Sequence, residues 1–153
     1  MNLKEFYKVI PLRIYFIFII LLLINCKKND LERNPYLPEF SFYYSLNTNL
    51  PEYNNIRYAG GSVLIPQLGY KGVIVFNLNG NKFIAWEASC PNHLPSSCSQ
   101  MDIIGVLSKC NCEKYQYSLA TGQLIIDYKE TKKYYPLLNY PIENFGKNLI
   151  ISN

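Results

Sequence analysis

The 153-residue chain lacks the short motifs that usually announce an enzyme. There is no HExxH pair, no Ser-His-Asp arrangement and no glycine-rich phosphate loop, so zinc-protease, triad-hydrolase and nucleotide-loop chemistry have no residues to stand on. Its carboxylates Glu113, Asp127 and Glu130 follow no spacing that marks an acid/base pair and read as solvated strand-edge charges. No stretch has 3.6-residue apolar periodicity long enough for a substantial helix, and there are no heptads or internal repeats. Charged residues are few, at 17%, and no basic stripe is visible, so no nucleic-acid partner is expected. Removing residues 1–25, with Lys4, Lys8 and Arg13 against Glu5, lowers the formal charge from +4 to +2.

What is abundant is aromatic and β-branched: 14 tyrosines and 8 phenylalanines, with many Val and Ile. That bias favours strands, and the length suits one domain with one core. The N-terminus carries Lys4, Lys8 and Arg13, then runs apolar from Ile14 to Ile24. A membrane span needs about 20 residues, whereas the apolar part of a secretory signal needs about 7–15, so residues 1–25 read as an export signal. There is no A-x-A-like cleavage site. Instead Leu23-Ile24-Asn25-Cys26 is similar to a bacterial lipobox, which implies that Cys26 is lipidated and becomes the first residue of the mature protein; Asn25 stands where a small residue is usual. The alternative is an uncleaved signal anchor. Either way the domain is expected outside the inner membrane, held to it or to the outer membrane. The polar leader from Lys27 to Asp30 resembles that of surface-sorted lipoproteins of the Bacteroidetes type.

Residues 26–39, with Pro35 and Pro38, read as a tether, and 40–153 as the domain. Strands are expected at Phe40–Leu46, Ser62–Ile65, Val73–Leu78, Lys82–Glu87, Leu124–Tyr128, Tyr134–Leu138 and Leu149–Ser152. Asn47–Tyr58, with Pro51, reads as a surface loop. Asn79-Gly80 predicts a two-residue type I′ hairpin whose outgoing strand leads to Cys90. Trp86 is expected in the core. The Tyr43-Tyr44 and Tyr134-Tyr135 pairs suit either a binding face or plain strand alternation.

The stretch from Cys90 to Gly122 holds four of the five cysteines and the only histidine. Cys90 and His93 fall in one segment and Cys110 and Cys112 in a second, the pattern by which two loops reach around one centre. Cys110-Asn111-Cys112-Glu113-Lys114-Tyr115, followed by Ser118-Leu119-Ala120-Thr121-Gly122, resembles the second box of Rieske [2Fe-2S] proteins, with a closing Tyr135-Pro136-Leu137 strand; the resemblance runs from about Gly60 to Asn153. It implies an all-β fold, a small antiparallel β-sandwich with a two-loop cluster-binding tip, and an electron-transfer role.

Carried over, the resemblance implies that Cys90 and Cys110 bind one iron, His93 is a ligand of the second, and Cys98 and Cys112 form a disulfide between the loops. The remaining ligand position falls on Glu113, where the family has histidine, and a carboxylate there would lower the cluster's potential. Lys114 and Tyr115 replace a small Gly-Ser pair, His93 is one residue further from Cys90 than usual, and Cys98 is displaced as well. The leader has no Arg-Arg pair of the kind that exports folded cluster proteins. Three outcomes stay open. The site is an altered [2Fe-2S] centre, or the cysteines form two disulfides, Cys98 with Cys112 and Cys90 with Cys110, with His93 an ordinary loop residue and Glu113 solvated. The third is zinc, using Cys98 and Cys112 as ligands instead of a disulfide, or no definable site. In the disulfide case the chain is a cluster-free binding or structural module, and an enzyme acting alone is not expected.

Overall fold

The computed structural model describes residues 34–125 and 133–153. The export segment, Cys26 and the polar leader lie outside the described residues, as do Asp127, Glu130 and the expected Leu124–Tyr128 strand beyond Ile125. Among the described residues there are ten strands: β1 Tyr43–Asn47, β2 Ser62–Ile65, β3 Val73–Asn77, β4 Phe83–Glu87, β5 Met101–Ile104, β6 Leu107–Cys110, β7 Gln116–Ser118, β8 Asn139–Tyr140, β9 Ile142–Phe145 and β10 Asn148–Ser152. All pair antiparallel, in three sheets ordered β1-β10-β9, β2-β3-β4-β8 and β5-β6-β7. The protein is all-β, as its composition predicts, and among the described residues no helix is long and apolar enough to cross a membrane.

The β2-β3-β4-β8 sheet is the middle layer, and β3 explains why. Val73, Ile74, Val75 and Phe76 are all buried, a run without polar alternation that suits a strand covered on both faces. Because successive side chains point to opposite faces, Val73 and Val75 join Leu46, Leu149 and Ile151 of the β1-β10-β9 sheet, with Ile65, Ala85 and Tyr140. Ile74 and Phe76 instead join Trp86, Met101, Cys110, Tyr117, Leu119 and Leu137 on the side of β5-β6-β7. Each fully buried large side chain contributes about 1.5–3 kcal/mol. The third sheet, which bears the cysteine-rich loops, is therefore bolted to the middle one through apolar contacts.

Several sequence expectations shift by a few residues, for identifiable reasons. The Asn47–Tyr58 segment contains a 3-10 helix, Pro51–Arg57, where Pro51 fixes the first turn and Ile56 is buried. β1 starts at Tyr43 instead of Phe40, since its register with β10 begins at Tyr43 opposite Ser152. The β3-β4 hairpin is not a two-residue type I′ turn. Leu78 N donates to Lys82 O at 2.8 Å, leaving a three-residue loop in which Gly80 alone has positive φ, at 96°. The Asn79 carboxamide oxygen accepts from Asn81 N and Lys82 N, and Asn77 Oδ1 from Gly80 N, so side chains close the turn. Tyr134–Leu138 forms no strand of its own. Pro136 lacks an N–H, Leu137 N donates to Gly122 O, and Leu138 O accepts from Glu87 N on the other side. Its sheet pairing starts only at β8.

The chain is packed from Asn34 onward: Leu37 is buried and Asn34 Nδ2 donates to Pro91 O at 2.8 Å.

Candidate functional site: the two-loop tip

Two loops meet at one end of the third sheet. The first, residues 90–99, runs from β4 to β5; the second, 110–115, starts at the last residue of β6 and leads to β7. Strand pairing brings their bases together, since Met101 lies opposite Cys110 and Ser89 bridges to Gln100. Cys90 N donates to Ser99 O and Cys110 N to Tyr115 O, each at 2.8 Å, so both loops are closed by backbone bonds next to a cysteine.

Three side chains fix where these loops stand. Glu87, the last residue of β4, is buried, and its carboxyl oxygens accept from Tyr70 N at 2.7 Å, Lys71 N at 2.9 Å, Ser89 N at 2.9 Å and the Tyr140 hydroxyl at 2.8 Å. Burial, and then the neighbouring Glu87 charge, push the Tyr140 hydroxyl above its ordinary pKa. A Cβ on Gly69, where φ is +63°, would run into the Glu87 carboxyl, so that turn needs glycine. Asn92 is the equivalent anchor of the first loop. Its Nδ2 donates to the Tyr117 hydroxyl at 2.8 Å and Tyr135 O at 2.9 Å, while Oδ1 accepts from Tyr135 N at 2.8 Å. Burial raises the Tyr117 pKa and the Asn92 bond opposes it. Trp86 donates Nε1–H to Leu119 O at 2.8 Å, and its ring lies flush against Gly122, where an added Cβ would come within 2.6 Å. The core role expected of Trp86 is the one observed.

In the second loop Lys114 is the one described non-glycine residue with positive φ, at 66°. This is the position where the Rieske resemblance has a small glycine, and the backbone keeps the conformation glycine favours. The Lys114 Nζ donates to Asn111 O at 2.7 Å.

The four cysteines of the tip are joined in two disulfides, Cys90–Cys110 and Cys98–Cys112, with Cα separations of 5.6 and 5.3 Å. Both cross from the first loop to the second. Cys90 and Cys110 are fully buried, whereas Cys98 is exposed and Cys112 half-buried. Over the inner bridge sit His93 and Glu113. His93 Nε2 is 3.6 Å from Cys110 Sγ and 3.2 Å from Glu113 Oε2, and Glu113 Oε2 is 3.0 Å from Cys110 Sγ. A disulfide sulfur has no hydrogen to donate, so the last of these is a close contact and not a hydrogen bond. His93 Nδ1 lies 2.8 Å from Leu94 O; a carbonyl only accepts, so Nδ1 carries the proton and Nε2 faces the sulfurs. The 3.2 Å contact with Glu113 is attractive when one proton lies between the two groups.

The residues singled out in the sequence are thus together: ligand atoms of Cys90, His93, Cys110, Cys112 and Glu113 all lie within 4.8 Å of one another. His93 is not an ordinary loop histidine, nor Glu113 a freely solvated carboxylate, since each is half-buried against the other. A [2Fe-2S] cluster takes two free donors on each iron. In the folded state described here Cys90 and Cys110 are bonded to each other, so neither offers a thiolate. Donors on opposite irons also stand farther apart than donors on one metal, and this shell is compact throughout. In the disulfide state the donor set does not fit the two-iron group. Glu87 and Asn92 escaped the sequence reading; the signal for Glu87 was a charged residue ending the apolar run Phe83–Trp86 just before the cysteine loop.

No family model matches the chain, and no curated protein does. Among solved structures, the complex of reduced oxygenase and oxidized ferredoxin in carbazole 1,9a-dioxygenase aligns with a TM-score of 0.45 at 15% identity, covering 72% of this chain and 92% of that one. A protein described as the NADH-dependent nitrite reductase small subunit of Mycobacterium tuberculosis aligns at 0.43 and 12% identity, over 75% of this chain and 97% of that one. At scores this low the tip residues, and not these likenesses, carry the functional reading.

Proposed function

We propose that the protein is an exported, membrane-anchored lipoprotein whose domain is a Rieske-type module with its cluster loops closed by disulfides instead of by iron, acting as a binding or structural module and not as an enzyme. The observation that carries this is the pairing of all four tip cysteines across the two loops, the inner bridge occupying the two positions that the Rieske resemblance gives to iron ligands. The anchor is supported by the Lys4, Lys8, Arg13 leader, the Ile14–Ile24 run and the lipobox-like Cys26. Attachment through several acyl chains is firm, since each buried methylene adds about 0.8 kcal/mol. A periplasmic or outer-membrane address is oxidising and favours disulfides.

A second reading is favoured by the convergence of His93 and Glu113 on Cys90 and Cys110: an electron-transfer domain with a [2Fe-2S] cluster on those four residues. Protein purified from membranes distinguishes the two. The disulfide module is colourless, contains neither iron nor acid-labile sulfide, and has no free thiol among Cys90, Cys98, Cys110 and Cys112; stoichiometric iron and sulfide would establish the other. Radiolabelled fatty acid should enter the wild type and not Cys26→Ser, and equal labelling of both would remove the lipid anchor at that residue.

A further inference from the structure

We propose that Cys90, His93, Cys110 and Glu113 form a single-ion site for a zinc-class divalent cation, closed while Cys90 and Cys110 are bonded to each other and opened when a dithiol reduces that bond. The inference rests on the disulfide-closed reading above and says what the polar pair over the inner bridge is for. A structural disulfide needs no histidine and no carboxylate beside it. Here His93 Nε2 and Glu113 Oε2 sit 3.6 and 3.0 Å from Cys110 Sγ, both half-buried.

Three features point to one metal ion. All donor atoms fall within 4.8 Å of one another, and donors on one tetrahedral ion with bonds of about 2.3 Å stand about 3.8 Å apart, so the shell has the size of a single coordination sphere. Two thiolates and an imidazole are the soft and borderline donors that suit zinc better than calcium or magnesium, and zinc also accepts a carboxylate oxygen as its fourth ligand. His93 also gives its Nδ1–H to the Leu94 carbonyl at 2.8 Å, which holds the ring with the Nε2 lone pair toward the sulfurs; metal-binding histidines are oriented by the same kind of backbone bond. Glu113, where a second imidazole would be needed for a cluster, supplies the fourth donor of a mononuclear site.

The chemistry balances without any group beyond the reductant. A dithiol passes two electrons and two protons to the Cys90–Cys110 bond, leaving two thiols and its own disulfide. The divalent ion then displaces the two thiol protons and is held by two sulfurs, Nε2 and a carboxylate oxygen. Two donors come from each loop, so the ion takes over the cross-link that the reduced bond gave up.

The test uses the full chain in detergent. As isolated it should lack iron and sulfide and show no free thiol among the four tip cysteines; iron and sulfide there would remove the disulfide-closed reading and this proposal with it. With that reading standing, the protein is reduced by a phosphine without oxygen and titrated with Co2+. Stoichiometric binding is expected, with the visible absorption of tetrahedral cobalt and a thiolate charge-transfer band, displaceable by Zn2+, and no binding by the oxidised chain. Glu113→Gln and His93→Ala, each first shown to have wild-type circular dichroism when oxidised, should weaken Co2+ binding about 10-fold or more. Cys98→Ser with Cys112→Ser should bind as the wild type does. Absence of binding by the reduced chain, binding unchanged in both single variants, or binding lost in the Cys98/Cys112 double variant would each overturn the proposal.

Discussion

Replacing Glu87 by glutamine should be among the most damaging nearly isosteric changes in the domain, and the reason lies in how its two oxygens divide four donors. Oε2 accepts from Tyr70 N and the Tyr140 hydroxyl, and Oε1 from Lys71 N and Ser89 N. An amide keeps only one of these oxygens. Turned toward the Oε1 side its NH2 group faces the Lys71 and Ser89 amides; turned toward the Oε2 side it faces the Tyr70 amide while the Tyr140 hydroxyl can rotate to accept, and no water reaches a side chain that is 1% exposed, so at least one buried N–H is left without an acceptor. A buried donor left unpaired costs about 1–3 kcal/mol, so the loss is at least of that size, a sizeable part of a domain stability of about 5–15 kcal/mol. Urea unfolding of the oxidised protein reads this directly. With a slope of about 2 kcal/mol per molar, a loss of about 2 kcal/mol moves the midpoint down by about 1 M without changing the slope. Because the same carboxyl ties loop residues Tyr70 and Lys71 to Ser89 at the root of the tip, the amides of these three residues should also exchange faster. A loss below about 1 kcal/mol would refute the account of Glu87 as the acceptor that holds these segments together.

Opening the outer bridge with Cys98→Ser and Cys112→Ser should lower stability by about 3 kcal/mol, the chain-entropy value for a loop of this length, measured by the same unfolding. Lys114→Gly should raise stability by up to about 1 kcal/mol and Lys114→Val lower it by about 1–2 kcal/mol, because φ there is 66°; the opposite order would contradict the left-handed assignment. Asn92→Ala removes three bonds between the first loop, Tyr117 and Tyr135, and should cost about 2–4 kcal/mol with faster exchange of the Tyr135 amide. The Tyr53 hydroxyl is pushed up to about 12 by its bond to Tyr44 and by burial. A group whose folded pKa is raised gives stability that is complete below its ordinary value near 10 and is lost as pH rises toward 12. Tyr117 and Tyr140 are shifted the same way. Unfolding midpoints should therefore fall above about pH 10, and tyrosine absorption should show a late fraction that ionises only on unfolding; simple titration of every tyrosine near 10 would contradict this.

Much of the middle sheet could be read from residues alone. Val73–Phe76 and Phe83–Trp86 are apolar and β-branched or aromatic, and their strands lie within a residue or so of the expected bounds. The turn between them departs from the two-residue pattern because Asn79 closes it through its side chain, accepting from Asn81 N and Lys82 N, where the residue pattern shows only the Asn-Gly pair. β5 and β6 were hidden inside the cysteine stretch, since Met101–Ile104 and Leu107–Cys110 are four residues each and their pairing is stated only by register. The cysteine positions announce a two-loop tip, and Cys90–Cys110 with Cys98–Cys112 is one of the pairings they allow. What the residues could not reveal was that His93 and Glu113 lean on the inner bridge and on each other, because that depends on rotamers set by Leu94 O and by the turn at Lys114. Asn92 is equally invisible, because its two partners, Tyr117 and Tyr135, are distant in the chain.

The central claim, that disulfides stand where iron ligands would, is tested most directly by counting. Protein isolated from membranes without reductant is assayed for iron, acid-labile sulfide and free thiols, and its cross-links are mapped by proteolysis and mass spectrometry. The account predicts a colourless protein with Cys90 linked to Cys110 and Cys98 linked to Cys112. A visible charge-transfer band with stoichiometric iron and sulfide, and Cys90 and Cys110 alkylatable once the metal is removed, would contradict it.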